Sequence, residues 1–473
     1  MCEMKVEIKF GTDGWRGVIS DNFTFENVRR VAQATADYYN AKLLGSGQKA
    51  RLAVGYDTRF LSEKYAQILS EVFVQNGIDI IISDRAVPTP TLSFAVKHRG
   101  LDGGVMITAS HNPAEYNGIK IKTSLGGAAG VEITEEIERL IVQRPEVKLR
   151  AAGKLTKADL TKDYIKFLRQ YINLSKIKDS RFRVLVDPMY GSGSNFIKDV
   201  LKGTKIRLDF IRQEINPSFG GLRPEPVLEN LLNTQKIIKA GKFDICLVLD
   251  GDADRIAAFT GEGEFINPQK VLGLLILHLV QDRKMSGAVV KTIVGSNMLD
   301  NITNKLSLKL YETPVGFKYI SELMINENVL VGGEEAGGMG FKDYIPERDG
   351  SLAGLLLLEM MIQRKKPISR ILKEMEKEFG RYYYVKDSME LKDLNIDIHE
   401  FKRIKELLGK QVVEVKDHDG VKLICSDRSW LMFRGSGTEP IMRVYAESKS
   451  SGRANKLLEF GKKLILKGGK EIV

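Results

Sequence analysis

Met106-Ile-Thr-Ala-Ser-His-Asn-Pro-Ala-Glu-Tyr-Asn-Gly-Ile-Lys120 continues an apolar strand, Gly104-Val-Met-Ile107, and then breaks into small and polar residues, with Pro113 closing off regular structure. Ser110 therefore sits just past a strand end, where open α/β sheets place their ligands. A hydroxyl there can act as a nucleophile if one group raises its reactivity and another receives the developing charge. Ser-His-Asn-Pro by itself is also a good turn, so the rest of the chain has to decide between the two readings.

Upstream, the pattern is strand, helix, strand, helix, strand. A short strand at Ile8 leads into the glycine-rich loop Gly11-Thr-Asp-Gly-Trp-Arg-Gly17, in which Arg16 is the strong anion ligand. Helical spacing of Val28, Val31, Ala32 and Thr35 predicts a helix from about Phe25 to Leu44. Leu52–Val54 reads as a strand, Ser62 caps a helix to about Gln75, Ile78–Ile82 is the next strand, and Pro88-Thr-Pro90 is a stiff connection toward Ser110. That order implies parallel strands with crossover helices. Downstream, Gly118-Ile-Lys-Ile-Lys122 alternates, isoleucines one way and lysines the other. A solvated lysine face is the usual reading; a lysine beside a reactive serine could instead move protons.

The same plan recurs twice. Phe182–Val186 and Asp244–Leu249 are apolar strands, the second ending in Asp250-Gly-Asp-Ala-Asp-Arg255; Asn328–Val331 is a strand ending in Gly332-Gly-Glu-Glu-Ala-Gly-Gly338. Three α/β units of similar length suggest a diverged repeat. After about Gly380 short strand patterns dominate, with a hairpin turn at Asp417-His-Asp-Gly420 and a terminal helix from about Arg453 to Leu466. The 473 residues exceed what one core supports, so three to four domains are expected.

Composition narrows the class. At 43% hydrophobic and 28% charged residues the chain reads as soluble and globular, and its net charge of +11 is spread without a basic block, which suits anionic small molecules. No motif supports nucleic-acid binding, and the longest apolar run, Val271 to Val280, is too short to span a bilayer. Three scattered cysteines and no signal-peptide core point to a reducing, cytoplasmic setting.

The acidic loop is the strongest chemical signal. Asp250, Asp252 and Asp254 at spacing two direct three carboxylates to one side of an extended segment, and like charges there call for a cation. Oxygen ligands suit Mg²⁺. A calcium EF-hand would need glycine and glutamate where Arg255 and Gly261 stand. Arg434-Gly-Ser-Gly-Thr-Glu-Pro440 has the composition of a phosphate cradle, with converging N–H groups, the Ser436 and Thr438 hydroxyls and a planar cation. Glu334 and Glu335, between paired glycines, suit sugar hydroxyls. Together these pieces fit phosphoryl exchange on a serine, stabilised by a metal, with a sugar phosphate held at both ends.

In this combination the chain resembles the α-D-phosphohexomutase family, with four motifs in the family's order over essentially the whole length: Thr108–Pro113, Asp250–Arg255, Gly333–Gly337 and Arg434–Pro440. The resemblance implies an α/β fold of four domains around a central cleft, three related α/β domains with mixed or parallel sheets and a C-terminal α+β domain, here expected at 1–153, 154–262, 263–379 and 380–473. It implies that Ser110 carries the phosphoryl group; that Asp250, Asp252, Asp254 and the phosphorylated Ser110 hold Mg²⁺; that Arg16 contacts the phosphoserine; that Lys120 transfers protons; and that His111 and Arg255 line the site. Glu334, Glu335 and Lys318 would bind the sugar, and Arg434, Ser436, Gly437 and Thr438 the phosphate that is not reacting. The implied reaction passes through a hexose 1,6-bisphosphate, with glucose 1,6-bisphosphate as activator and intermediate.

Substrate choice follows the departures. Ala336 stands where serine is common, and Gly338 where many mannose and glucosamine members have histidine. Gly316-Phe-Lys318 and Thr108 are closer to the glucose type. The expectation is glucose phosphates first, mannose second, and phosphoglucosamine mutase as the alternative. Two other classes compete: a Mg²⁺-dependent phosphatase using Asp250-Gly-Asp252, which would make the Ser110 loop unnecessary, and a non-catalytic sugar-phosphate sensor. Oligomeric state is not legible.

Overall fold

The apolar run ahead of Ser110 folds as the strand Gly103–Ile107, with all five residues buried. In this computed structural model, which describes residues 7–43, 48–143, 152–391, 396–435 and 441–466, that strand lies inside a six-stranded sheet. The sheet order is Trp15–Val18, Tyr116–Thr123, Gly103–Ile107, Arg51–Tyr56, Asp79–Ser83, Leu155–Ala158. Gly103–Ile107, Arg51–Tyr56 and Asp79–Ser83 run parallel; Tyr116–Thr123 turns back antiparallel to the first of them, and Trp15–Val18 is antiparallel to Tyr116–Thr123 in turn. Burial on both faces explains the unbroken apolar runs of the inner strands. The helices Phe25–Lys42 and Ser62–Gln75 supply Val28, Val31, Leu69 and Phe73 to the core. Thr24 caps the first of them, its side chain accepting from Asn27 N.

Local expectations change at three places in this sheet. Residues 7 to 10 form no strand; Ile8 and Phe10 are buried, but the ladder begins at Trp15, inside the glycine-rich stretch, opposite Ile119. Pro88-Thr-Pro90 opens a helix, Thr89–His98, because a proline in the first turn costs no intrahelical hydrogen bond. The alternating segment is the strand Tyr116–Thr123, but Lys120 and Lys122 are as buried as Ile119 and Ile121. The lysine face is covered by carboxylates, not water.

Contacts divide the chain into two units, Met1–Gly287 with Gly316–Ile371, and Ala288–Val315 with Leu372–Val473. The first unit holds the six-stranded sheet and a five-stranded one, ordered Phe265–Ile266, Ile256–Thr260, Ile245–Leu249, Arg183–Asp187, Arg207–Phe210. Three hairpins in this unit share one plan. A buried strand runs into a loop that holds candidate site residues and an antiparallel strand returns: Gly103–Ile107 to Tyr116–Thr123, Ile245–Leu249 to Ile256–Thr260, and Val329–Gly333 to Met339–Phe341. Backbone bonds tie the second hairpin to the third and to two helix starts, Ile256 N donating to Gly337 O, Thr89 N to Asp252 O and Gly350 N to Ala253 O. Gly251 permits a close approach of the first two tips: a Cβ there would lie 2.5 Å from Ser110 O.

The second unit contains the parallel pair Ala288–Thr292 and Leu310–Thr313 and a fully antiparallel sheet ordered Tyr383–Glu390, Ile441–Ser448, Trp430–Gly435, Val421–Cys425, Val412–Lys416. The helix Ser451–Leu466 covers it, packing Leu457 and Ile465 with Leu423, Phe433 and Val444. Tyr383–Glu390 leaves no mark in the apolar pattern because it is a half-exposed edge strand. Among the described residues no helix is long and apolar enough to cross a membrane.

Candidate active site

Ser110 stands at the tip of the first hairpin, against the tip of the second. It is fully buried and held at φ 51°, in the left-handed region that non-glycine residues rarely adopt. Two anchors hold it there. Its backbone N–H donates to Thr108 Oγ1 at 2.9 Å, and Thr108 donates to Asp57 Oδ2 at 2.6 Å. Arg59 donates to the carbonyls of Ser110, Asn112, Pro113 and Tyr116 at 2.6–3.0 Å, with Asp57 3.3 Å from its Nε. One buried guanidinium thus satisfies three carbonyls of the Ser110 loop and that of Tyr116, where the return strand begins.

The Ser110 hydroxyl points at the acidic loop and donates to Asp250 Oδ2 at 2.8 Å; His111 Nδ1 lies 3.4 Å away. Asp250, Asp252 and Asp254 are all completely buried. Lys120 reaches them from the adjacent strand, its Nζ 2.8 Å from Asp252 Oδ2, 3.0 Å from Asp254 Oδ2 and 2.9 Å from Asp13 Oδ2. Thr89 Oγ1 also donates to Asp252. Arg255 Nε stands 3.9 Å from Asp250 and 3.8 Å from Asp254.

These neighbours move Asp250 and Asp252 in opposite directions. Burial and the charges of Asp252 and Asp254 push Asp250 well above the usual carboxylate range, with Arg255 and the Ser110 hydroxyl opposing. Burial also works against the charge on Asp252, but Lys120, Thr89 and Arg348 outweigh it and hold that acid below its ordinary value. Lys120 is the mirror case: burial disfavours its charge, yet Asp13, Asp252 and Asp254 raise it. Asp13 is held well below the usual range, burial being outweighed by Arg348, Lys120, Lys122 and Arg16.

The acidic loop fits a divalent cation. One ligand atom from each of the three aspartates can be chosen so that all lie within 4.8 Å of one another, and this is the one such group among the described residues. Asp252 Oδ1 and Asp254 Oδ1 are buried and accept no hydrogen bond, so two oxygens are left with lone pairs to share. All-oxygen donors of this kind suit Mg²⁺. Burial and the like charges of Asp252 and Asp254, which together raise Asp250, are what a cation would relieve.

Other expected residues fall around this core. Arg16 Nη1 donates to Asn112 Oδ1 and so reaches the serine loop beside Ser110, with Asp13 3.9 Å from Nη2. Glu334 is buried, its N–H donating to Gly338 O; Glu335 beside it is half-exposed. Burial, with Glu335 adding to it and Arg348 opposing, raises Glu334 to about 7. Lys318 lines a crevice with Thr12, Asp13 and Gly14. In the second unit Arg434 Nε lies 2.9 Å from both oxygens of Asp419, while Ser436, Gly437 and Thr438 lie outside the described residues.

Sequence reading missed five side chains of the site: Asp13, Asp57, Arg59, Thr89 and Arg348. Arg348 pairs with Asp13, lies 2.7 Å from Asp254 Oδ2 and 3.3 Å from Glu334 Oε2, and is almost completely buried. The signal available was Pro346-Glu-Arg-Asp-Gly350, three consecutive charges before an apolar helix. Solvated caps commonly look the same; here Asp349 does cap the helix, accepting from Leu352 N, but it is buried.

Comparison with known proteins gives one answer along the whole chain. The profiles described as phosphoglucomutase/phosphomannomutase, alpha/beta/alpha domains I, II and III and C-terminal domain, match residues 7–148, 162–263, 267–379 and 385–460. A phosphoglucomutase/phosphomannomutase of Thermococcus kodakarensis is 32% identical over 96% of this chain and 98% of its own length. A phosphoglucosamine/phosphogalactosamine mutase of Sulfurisphaera tokodaii is 30% identical over 96% of this chain and 98% of its own. A crystal structure of a provisionally assigned phosphomannomutase from Thermus thermophilus superposes with a TM-score of 0.87 at 34% identity, covering 98% of this chain and 100% of the other.

Proposed function

The chain belongs to the phosphoglucomutase/phosphomannomutase family, a family of phosphohexomutases, and from that premise we propose that it interconverts hexose 1-phosphates and hexose 6-phosphates through a phosphorylated Ser110, with glucose preferred and mannose second. The observation that carries this reading is the buried Ser110 hydroxyl donating at 2.8 Å into a triad of buried carboxylates, with Lys120 bridging the same triad. A phosphatase acting through Asp250 would leave that serine without a task.

In the resting enzyme Ser110 carries a phosphoryl group. A hydroxyl of the bound hexose monophosphate attacks the phosphorus; the new P–O bond forms as the P–Oγ bond breaks. Lys120, charged among Asp13, Asp252 and Asp254, is the group proposed to give a proton to the departing serine oxygen and to regain one from the attacking hydroxyl. The product, a hexose 1,6-bisphosphate, turns over within the site and gives its other phosphoryl group back to Ser110 with the proton moving in reverse. Asp250, Asp252 and Asp254 would hold Mg²⁺, which supplies charge stabilisation to the transferring oxygens. Arg16 and His111 would steady the phosphoserine, Arg255 would balance the triad, and Glu334, Glu335 and Lys318 would hold the sugar. Arg434, Ser436, Gly437 and Thr438 would hold the second phosphate. Domain borders near residues 153, 262 and 379 belong to the same proposal, as does glucose 1,6-bisphosphate as activator.

A glucosamine preference is the second reading, favoured by the Sulfurisphaera tokodaii relative. The test supplies purified protein with Mg²⁺, a trace of glucose 1,6-bisphosphate and, separately, the 1-phosphates of glucose, mannose and glucosamine, following formation of each 6-phosphate, with Ser110→Ala as control. Turnover of the glucose compound that is lost in the variant supports the proposal. Turnover of the glucosamine compound alone moves the preference and leaves the mechanism. Release of free phosphate that survives Ser110→Ala overturns it.

A further inference from the structure

Gly338 and Arg348 share one volume. A Cβ on Gly338 would lie 2.2 Å from Arg348 Cδ and 2.8 Å from Cγ, with Glu334 Oε2 at 3.2 Å. Gly338 does not have the positive φ that would by itself call for glycine. The absence of a side chain at 338 is what lets the arginine stem lie across the backbone of the sugar loop. From that seat the guanidinium reaches carboxylates on three separate segments: Asp13 of the glycine-rich loop, Asp254 of the acidic loop at 2.7 Å and Glu334 of the sugar loop at 3.3 Å. The Phe317 ring lies 5.5 Å from its central carbon. The backbone of Glu334 is tied to the same seat, since its N–H donates to Gly338 O.

We propose that Arg348 is a positioning residue that holds the carboxylate of Glu334 in register with the acidic loop, and that Gly338 is its obligatory seat, so that a side chain at 338 and Arg348 in this pose exclude each other. The proposal rests on the reading of Glu334 as a sugar ligand. A guanidinium suits the task because it keeps its charge and presents several donors in a fixed plane, aimed at several acceptors at once. A lysine ammonium is a point charge and cannot span the same acceptors from one position.

The test is a double-variant cycle in the full chain carrying Ser110→Ala, so that binding is read without turnover. Glucose 6-phosphate binding in the presence of Mg²⁺ is measured by calorimetry for Gly338→Ala, Arg348→Ala, Arg348→Lys and the Gly338→Ala/Arg348→Ala pair, with circular dichroism and thermal melting of each. Each single substitution is expected to weaken binding about tenfold or more. The pair should be no weaker than Arg348→Ala alone, and Arg348→Lys should not restore the parent. A Gly338→Ala protein that binds like the parent, or singles whose losses add in the pair, overturns the proposal. If a variant at 348 folds poorly, Gly338→Ala is compared in the presence and absence of Glu334→Gln; its effect should vanish in that background, and its persistence overturns the proposal. Melting supplies the cycle without ligand: if the parent binds no hexose phosphate, the proposed function fails, while non-additive melting still supports the shared seat and additive melting removes it.

Discussion

Glu334→Gln separates a sugar-binding carboxylate from a structural one by its pH signature. Burial raises Glu334 to about 7, with Arg348 3.3 Å away pulling in the opposite direction. An acid poised there is about nine-tenths ionised at pH 8 and about one-tenth at pH 6. Only the ionised form offers all its lone pairs to hydroxyl groups. Because kcat/KM reports the free enzyme, it should fall about tenfold between pH 8 and pH 6 on this account alone. The substrate phosphate also titrates near pH 6, but it does so equally for both proteins, so the ratio of wild type to Glu334→Gln isolates the residue. At pH 8 the variant loses a hydrogen bond to a charged group, about 1.5–3 kcal/mol, or about 10- to 150-fold in kcat/KM. At pH 6 that ratio should shrink about tenfold. The assay is conversion of glucose 1-phosphate to 6-phosphate at saturating Mg²⁺ from pH 6 to 8. A ratio that stays constant over this range refutes the reasoning: Glu334 would then be ionised throughout, or would not touch the sugar.

Lys120→Met leaves Asp13, Asp252 and Asp254 without their shared ammonium. Turnover should fall at least about 100-fold, and the loss of a buried partner, about 3–5 kcal/mol, should make melting strongly Mg²⁺-dependent. Mg²⁺ at about 100 times its Kd returns about 2.7 kcal/mol, and a melting temperature indifferent to Mg²⁺ would remove the triad as a metal site. Arg59→Lys keeps the charge but cannot serve the four carbonyls in and beside the Ser110 loop; kcat should drop at least about tenfold with substrate binding little changed, and a drop in KM-linked binding alone would argue against the anchoring role. Lys422→Met tests a buried cation in the second unit. Burial, with repulsion from Lys291, lowers Lys422 to about 7 from 10.5. Because the folded pKa lies below the unfolded one, its penalty on the fold grows as pH falls from about 10.5 to about 7. The variant should gain melting temperature relative to wild type at pH 7 and less at pH 10; the opposite trend would show the lysine to be charged and paired.

How far the sequence carried the reading differs from residue to residue. Ser110, Asp250 and Glu334 were legible because each follows an apolar run that ends at a glycine or polar break, and chains that bury a strand on both faces leave that mark at short range. The spacing of the three aspartates marked them as a candidate cation site, and the fold brings an oxygen of each within 4.8 Å of the others. Lys120 was legible as a candidate but not as a buried one, since alternation places lysines on one face without saying what covers that face. Thr89–His98 was hidden behind two prolines whose helical use depends on where the helix begins.

What the amino-acid sequence determined by itself was the local: which runs are strands, where each stops, and which chemically able residues stand at the stops. Tertiary structure decided the rest. Asp13, Arg59 and Arg348 lie 97, 51 and 238 residues from Ser110 in the chain, so no periodicity joins them to it. Their role comes from burial, which removes water as a competitor and obliges every charge and carbonyl to find a partner across the fold. Arg348 became a clamp because a glycine ten residues earlier left room for its stem, a fact of volume that spacing along a chain does not record.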